Sequence, residues 1–231
     1  MTTGRKKESK DKSSELKHGA RMNRERFHYL YEQTAEDFRV ELIGGVVHEP
    51  SPISVSHGRN HAVLAHILYT YAIETPGVEM LGNVTVMLSD QDEVEPDLLL
   101  RVLPKFGGRT QNTRDDYVDG PPEFVVEVAH SSVSLDLGRK RKRYILSGVA
   151  EYLVICTQLK EIRWFDLQNN AKYEADDAGI LKSNVFPGLW LSSTAIFSDG
   201  NDKSALKVLK QGLKSAEHAG FVKKLAAHKR K

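Results

Sequence analysis

The chain has 231 residues, 33 Lys and Arg against 31 Asp and Glu for a formal net charge of +2, one cysteine and a mean hydropathy of −0.43. That length holds one medium domain with extensions. Cys156 alone excludes an internal disulfide framework, no apolar run reaches the roughly 18 residues of a membrane span, and the polar, basic start shows no secretory segment, so a reducing, cytoplasmic setting without a membrane partner is expected.

The charge is unevenly placed. Residues 1–26 carry 9 basic and 4 acidic side chains, residues 201–231 carry 9 and 2, and the stretch between them carries 15 and 25. Basic arms around an acidic middle are expected to meet a nucleic acid or to fold back on the middle; solubilising tails are the plain alternative.

In chain order, residues 1–26 read as a disordered basic arm, and 27–38 as a short amphipathic helix or turn. Arg39 to His48 reads as a hairpin turning at Gly44-Gly45. Ser56 is the expected N-cap of a helix over 57–74, and Pro76-Gly77 ends it. Val78 to Leu88 is a strand interrupted at Gly82-Asn83, and Glu93 to Val102 is the next. Residues 103–121 are rich in Gly, Pro, Asp and Arg and read as a long loop. Glu123 to Ala129 is a mostly apolar, central strand. A helix over 135–147 follows, closed by Gly148, then strands at 152–156 and 161–167 with Asn169-Asn170 as a turn. Residues 201–231 read as a basic amphipathic extension of one or two helices. Its weak point is Gly220, and its apolar stripe (Leu206, Leu209, Leu213, Ala216) marks it as an accessory to the domain over 27–200.

Two of these strands carry a single carboxylate among apolar neighbours, Asp97 after Pro96 and Glu127 between Val126 and Val128. Burying a carboxylate costs several kcal/mol unless it is paired, and a hard divalent cation would pair both. Asp136, Lys140 and Tyr144 lie at helical spacing on one face, where a lysine beside a metal-bound carboxylate can assist. The plain alternative is a solvated basic face over residues 139–143, with Arg139, Lys142 and Arg143 as solvated or nucleic-acid-binding cations, and spacing alone does not single out Lys140. Glu41, between Val40 and Leu42, is either a third acidic ligand or an ion-pair partner. His57 and His61 have the i, i+4 spacing of a zinc helix, but no third ligand follows. His130 lies close to Glu127, in position to support the site, and Cys156 reads as a core residue.

The ordered set Glu41-Leu-Ile-Gly-Gly-Val-Val, Pro52 with His57, Glu95-Pro-Asp97, Pro122-Glu-Phe-Val-Val-Glu127-Val, Asp136 with Lys140, Tyr144 to Gly148-Val-Ala-Glu-Tyr-Leu-Val-Ile155 and Phe186-Pro-Gly-Leu189 resembles the Uma-two family. Those are restriction-endonuclease-like proteins of the PD-(D/E)XK nuclease superfamily, and the resemblance spans about residues 27 to 198. It implies an α/β fold (an α+β mixed sheet): a restriction-endonuclease-like core with flanking helices and an N-terminal β-hairpin. It implies a Mg2+ (or Mn2+) site held by Asp97, Glu127 and Glu41, Lys140 as the catalytic lysine, and His57, His130, Asp136 and Tyr144 around them. The implied activity is DNA cleavage, for which a homodimer would supply two sites. A catalytically weak nucleic-acid-binding or regulatory module is the alternative. The superfamily's lysine position two residues after the second acid holds Ala129, as the family generally lacks lysine there. Two departures are local to this chain: Ala129-His130-Ser131 replaces the family's usual Leu-Ser-Pro, and Leu153 to Cys156 replaces Trp-Ile-Val-Asp.

Overall fold

The computed structural model describes residues 12–198 and 203–229. In chain order the helices are α1 (Arg24–Tyr31), α2 (Val55–Ile73), α3 (Val133–Leu135), α4 (Arg141–Ser147), α5 (Ser204–Leu213) and α6 (Ala216–His228). The strands are β1 (Glu41–Ile43), β2 (Val46–His48), β3 (Val78–Gly82), β4 (Val86–Ser89), β5 (Asp92–Val94), β6 (Leu98–Val102) and β7 (Gln111–Asn112). They continue with β8 (Val118–Asp119), β9 (Phe124–Ala129), β10 (Glu151–Cys156), β11 (Glu161–Asp166), β12 (Ala171–Lys172), β13 (Ile180–Lys182) and β14 (Trp190–Ser192).

Two mixed six-stranded sheets form the frame, in the orders β2-β1-β5-β4-β8-β7 and β12-β11-β10-β9-β6-β3, with β13 and β14 as a separate pair. The expected α/β restriction-endonuclease-like architecture is the one observed. Strand β9 is central: it runs parallel to β10 and antiparallel to β6, and all six of its residues are buried. That is why its sequence is an apolar run rather than an alternation. One face of the second sheet packs Leu98, Leu100, Val126 and Val128 against Leu64, Ile67, Leu68 and Tyr71 of α2. The other face packs Leu99, Val125, Val154 and Ala129 with Tyr144 of α4, and Ile43 and Val86 of the first sheet join it.

The hairpin forms as read. Gly44 and Gly45 hold φ of 61° and 73°, the paired positive values a tight two-residue turn requires. Other boundaries move. The cap of α2 is Ser54, not Ser56; its hydroxyl accepts from the His57 amide, so the helix starts two residues earlier than expected. The single strand read over 93–102 is two, in different sheets, broken at Glu95-Pro96-Asp97. The long loop carries the short strands β7 and β8. The helix read over 135–147 is α3, a π-helical turn at Asp136–Lys140, and α4, with Gly148 left-handed at its end.

Both arms need correction. Residues 1–11 lie outside the described residues, but from residue 12 the chain is folded: Leu16 is fully buried with Phe27, Leu30 and Leu42 under the hairpin. The C-terminal segment is not an accessory. It breaks at Lys214-Ser215, with Ser215 capping α6 and Gly220 inside the helix. Ala205, Leu209 and Leu225 enter the same core as α2, and buried His218 bonds Thr75 at 3.0 Å. The apolar stripe is therefore satisfied within the chain.

Leu209 is fully buried, so Leu209→Ala is expected to cost about 2–5 kcal/mol of stability, read from the shift of a urea unfolding transition. An unchanged midpoint would return the segment to an accessory role.

Candidate active site

The site gathers where the two sheets meet. Strand β9 brings Glu127 onto the face of Val125 and Ala129, and the Leu98↔Val126 register places Asp97 opposite it one step further on. The break at Pro96 frees Asp97 from the ladder, and its carboxylate turns back to accept the Val128 amide at 2.7 Å. Strand β1, in the other sheet, brings Glu41, whose second oxygen accepts the Glu95 amide at 2.8 Å.

Lys140 joins the two sheets. Its ammonium lies 2.9 Å from Glu127 Oε1 and 2.9 Å from Glu41 Oε2, and it is buried. Tyr144 donates to the same Glu127 oxygen at 2.9 Å. Asp136, Lys140 and Tyr144 all face inward, whereas Lys142 is exposed. The π-helical turn sets this arrangement: it inserts backbone between Asp136 and Lys140 without losing the helix, a distortion frequent at functional sites.

The electrostatics follow from crowding. Burial pushes the Glu127 carboxyl well above its usual range, and Asp136, Asp97 and Glu41 add like charge against the pull of Lys140. Burial also raises Asp136. Burial disfavours the Lys140 ammonium, but Glu127, Glu41 and Asp136 outweigh it and hold lysine's proton well above its ordinary value. The hydrogen bond to Asp97 likewise raises His57. Four carboxylates therefore face two cations.

The two helix histidines both serve Asp97 rather than a zinc ion. His57 Nε2 lies 3.2 Å from its carboxylate, and His61 Nε2 lies 3.2 Å from its carbonyl oxygen. Their i, i+4 spacing stacks the rings 6.2 Å apart. His130 is not brought to the carboxylates; it bonds Thr157 at 2.9 Å and Gln158 at 3.3 Å, with Ser56 at 3.4 Å. Arg143 is held by buried Asp92 through contacts of 2.6–3.0 Å, and Asp92 also accepts the Gly44 amide, so this arginine braces the hairpin. Arg139 and Lys142 stay exposed. Tyr152, Glu95 and His61 belong to the site's surroundings but were not picked out as such from the sequence. Tyr152 bonds the Asp136 carbonyl at 3.3 Å, and its only signal is its place in an apolar strand. Glu95 could have been found from its place beside Pro96-Asp97.

Among the described residues, no three His, Cys, Asp or Glu side chains are preset as a metal cage, and no helix is long and apolar enough to cross a membrane. Lys140 occupies the space between Glu41 and Glu127 instead.

The model of the Uma2 family, described as "Putative restriction endonuclease", matches residues 24–194. The fold is similar to the crystal structure of a "putative nuclease belonging to DUF820" from Anabaena variabilis ATCC 29413. The TM-score is 0.60 at 11% sequence identity, over 76% of this chain and 97% of that one. At that identity the likeness concerns the fold alone. No curated protein matches the chain.

Replacing Lys140 by Met strands Glu127 and Glu41, and a broken buried pair costs about 3–5 kcal/mol. Glu127, whose folded pKa is raised, weakens the fold as pH climbs from its ordinary value through the raised one. The stability deficit of Lys140→Met is thus expected to be largest at pH 7.5 and to shrink at pH 5. Urea unfolding at the two values checks this, and an equal deficit at both would contradict it.

Proposed function

The chain belongs to the Uma2 family of putative restriction endonucleases, and from that premise we propose that it is a divalent-metal-dependent endonuclease hydrolysing DNA phosphodiester bonds. One observation carries the reading: Glu41, Asp97, Glu127 and Asp136 crowd one place, where among the described residues Lys140 pairs with Glu41 and Glu127 and His57 with Asp97. With every group ionised the pocket is short of two positive charges. Carboxylate oxygens are the donors that Mg2+ or Mn2+ prefers, so the residues fit a hard divalent ion.

Asp97, Glu127 and Glu41 would hold that ion, which when bound supplies Lewis-acid polarisation of a phosphate and a water of lowered pKa. Lys140 would offer its ammonium to the negative charge that builds on the phosphate oxygens. His57 fixes the Asp97 carboxylate from one side while the Val128 amide fixes it from the other. Tyr144 holds Glu127 in register with Lys140. Glu127, then Glu41 and Asp136, keep the lysine charged against its burial.

The second reading, a nucleic-acid-binding module that retains the scaffold, is favoured by Lys140 itself. Its own ammonium bridges two of the carboxylates at 2.9 Å. Cleavage of supercoiled plasmid separates the two. The enzyme reading expects nicking with Mg2+ or Mn2+, none with EDTA, and a loss of at least about 100-fold in Asp97→Asn and Glu127→Gln. These variants keep the shape of the side chain, whereas removing Lys140 threatens the fold. Salt-sensitive binding with no metal-dependent nicking would decide for the module.

A further inference from the structure

A groove of about 390 Å3 lies on the outer side of the helix that carries Lys140, lined by Arg21, Gly44, Gly138, Arg139, Lys142 and Arg143 among others. Three chain segments build it. Arg21 is bridged to Val46 of the hairpin, Gly44 is the hairpin turn, and the others come from the π-helical turn and α4. Its charge is nearly all of one sign. Arg143 is balanced by Asp92, but no acidic partner within ion-pair distance meets Arg21, Arg139 or Lys142 among the described residues. Arg139 instead donates to His48 Nε2 at 3.0 Å. His48 accordingly resists protonation, first through burial and then through Arg139 and His18.

The groove adjoins the carboxylate pocket. Arg139 and Lys140 are consecutive, one facing out and the other in. His48, which Arg139 touches, pairs in register with Glu41, which Lys140 touches. The same few residues thus present cations to the groove and carboxylates to the pocket. Because residues 27–200 are acidic in total, this positive patch stands against a negative background, which focuses its field on an approaching anion.

We propose that the groove seats backbone phosphates of the DNA flanking the bond to be cut, with Arg21, Arg139 and Lys142 as the contacting residues. The proposal rests on the nuclease reading and adds the path of the strand. Phosphates recur at fixed spacing along a strand, so a phosphate at the carboxylates brings its neighbours along the rim of the pocket. Open space around a Cβ at Gly138 leaves room for that approach. Such contacts would fix position without reading base sequence.

Fluorescence anisotropy of a labelled duplex against the full chain carrying Glu127→Gln, in EDTA across a salt series, tests this. Each lost phosphate contact lowers the slope of log K against log salt by about 1, so Arg21→Ala/Arg139→Ala/Lys142→Ala is expected to lower it by about 3. Single Lys142→Gln, at an exposed side chain with no ion-pair partner among the described residues, should lower it by about 1 even if the triple variant folds poorly. Lys160→Ala, on the separate groove by β11, should leave the slope unchanged. An unchanged slope in the Lys142 variant, or equal loss from Lys160→Ala, overturns the groove while plasmid cleavage by the wild-type chain keeps the nuclease reading. Displacement of the duplex by polyglutamate at equal charge would overturn it in favour of an acidic protein partner. Absence of both binding and cleavage in the wild-type chain sinks the two readings together.

Discussion

One buried ammonium ties the two sheets together. Glu41 sits in one and Glu127 in the other, and Lys140 reaches both from the helix that covers their junction. A lysine in such a place is tolerable only because the carboxylates outweigh its loss of hydration, and they are tolerable only because of the lysine. The mutual dependence fixes the hairpin, the central strand and the π-helical turn relative to one another. Asp92 and Arg143 repeat the device at the far side of the hairpin, so charge pairs rather than apolar contact alone set the hairpin's position.

This arrangement differs from a closed metal cage. In a cage the ligands converge before the ion arrives, and the protein bears their repulsion. Here a buried lysine pairs with Glu41 and Glu127, and each carboxylate keeps a neutral or backbone donor as well: Tyr144 for Glu127, the Val128 amide for Asp97, the Glu95 amide for Glu41. Those donors hold each carboxylate's orientation independently of the lysine.

Much of this was legible in the sequence, for local reasons. Glu127 stood out because a charged residue in a six-residue apolar run has nowhere to go, and Gly44-Gly45 because few other pairs accept two positive φ values. Pro96 marked an irregularity, though not that the chain changes sheets there. The π-helical turn was hidden because spacing of four places Asp136, Lys140 and Tyr144 on one face of an ordinary helix too. His57 and His61 showed their shared face but not what it met, which proved to be one aspartate. Arg143 was indistinguishable from its basic neighbours, since its partner Asp92 lies 51 residues away. The stripe on α5 predicted docking but could not say against what, and the basic composition before residue 27 masked the single buried Leu16.

The packing of α5 and α6 on α2 has a consequence for synthesis. Leu64, Ile67, Leu68 and Tyr71 share a core with Leu209 and Leu225, and Tyr71 stacks edge-on with His218 at 5.8 Å. Those partners leave the ribosome about 130 residues after α2, an interval on the order of ten seconds at roughly 5–20 residues per second. Strands β6 and β9 reach α2 sooner, so what stays exposed for that time is the part of its apolar face that Leu209, Leu225 and His218 cover in the finished fold. This core is therefore completed last by two helices that carry none of the carboxylates of the proposed chemistry.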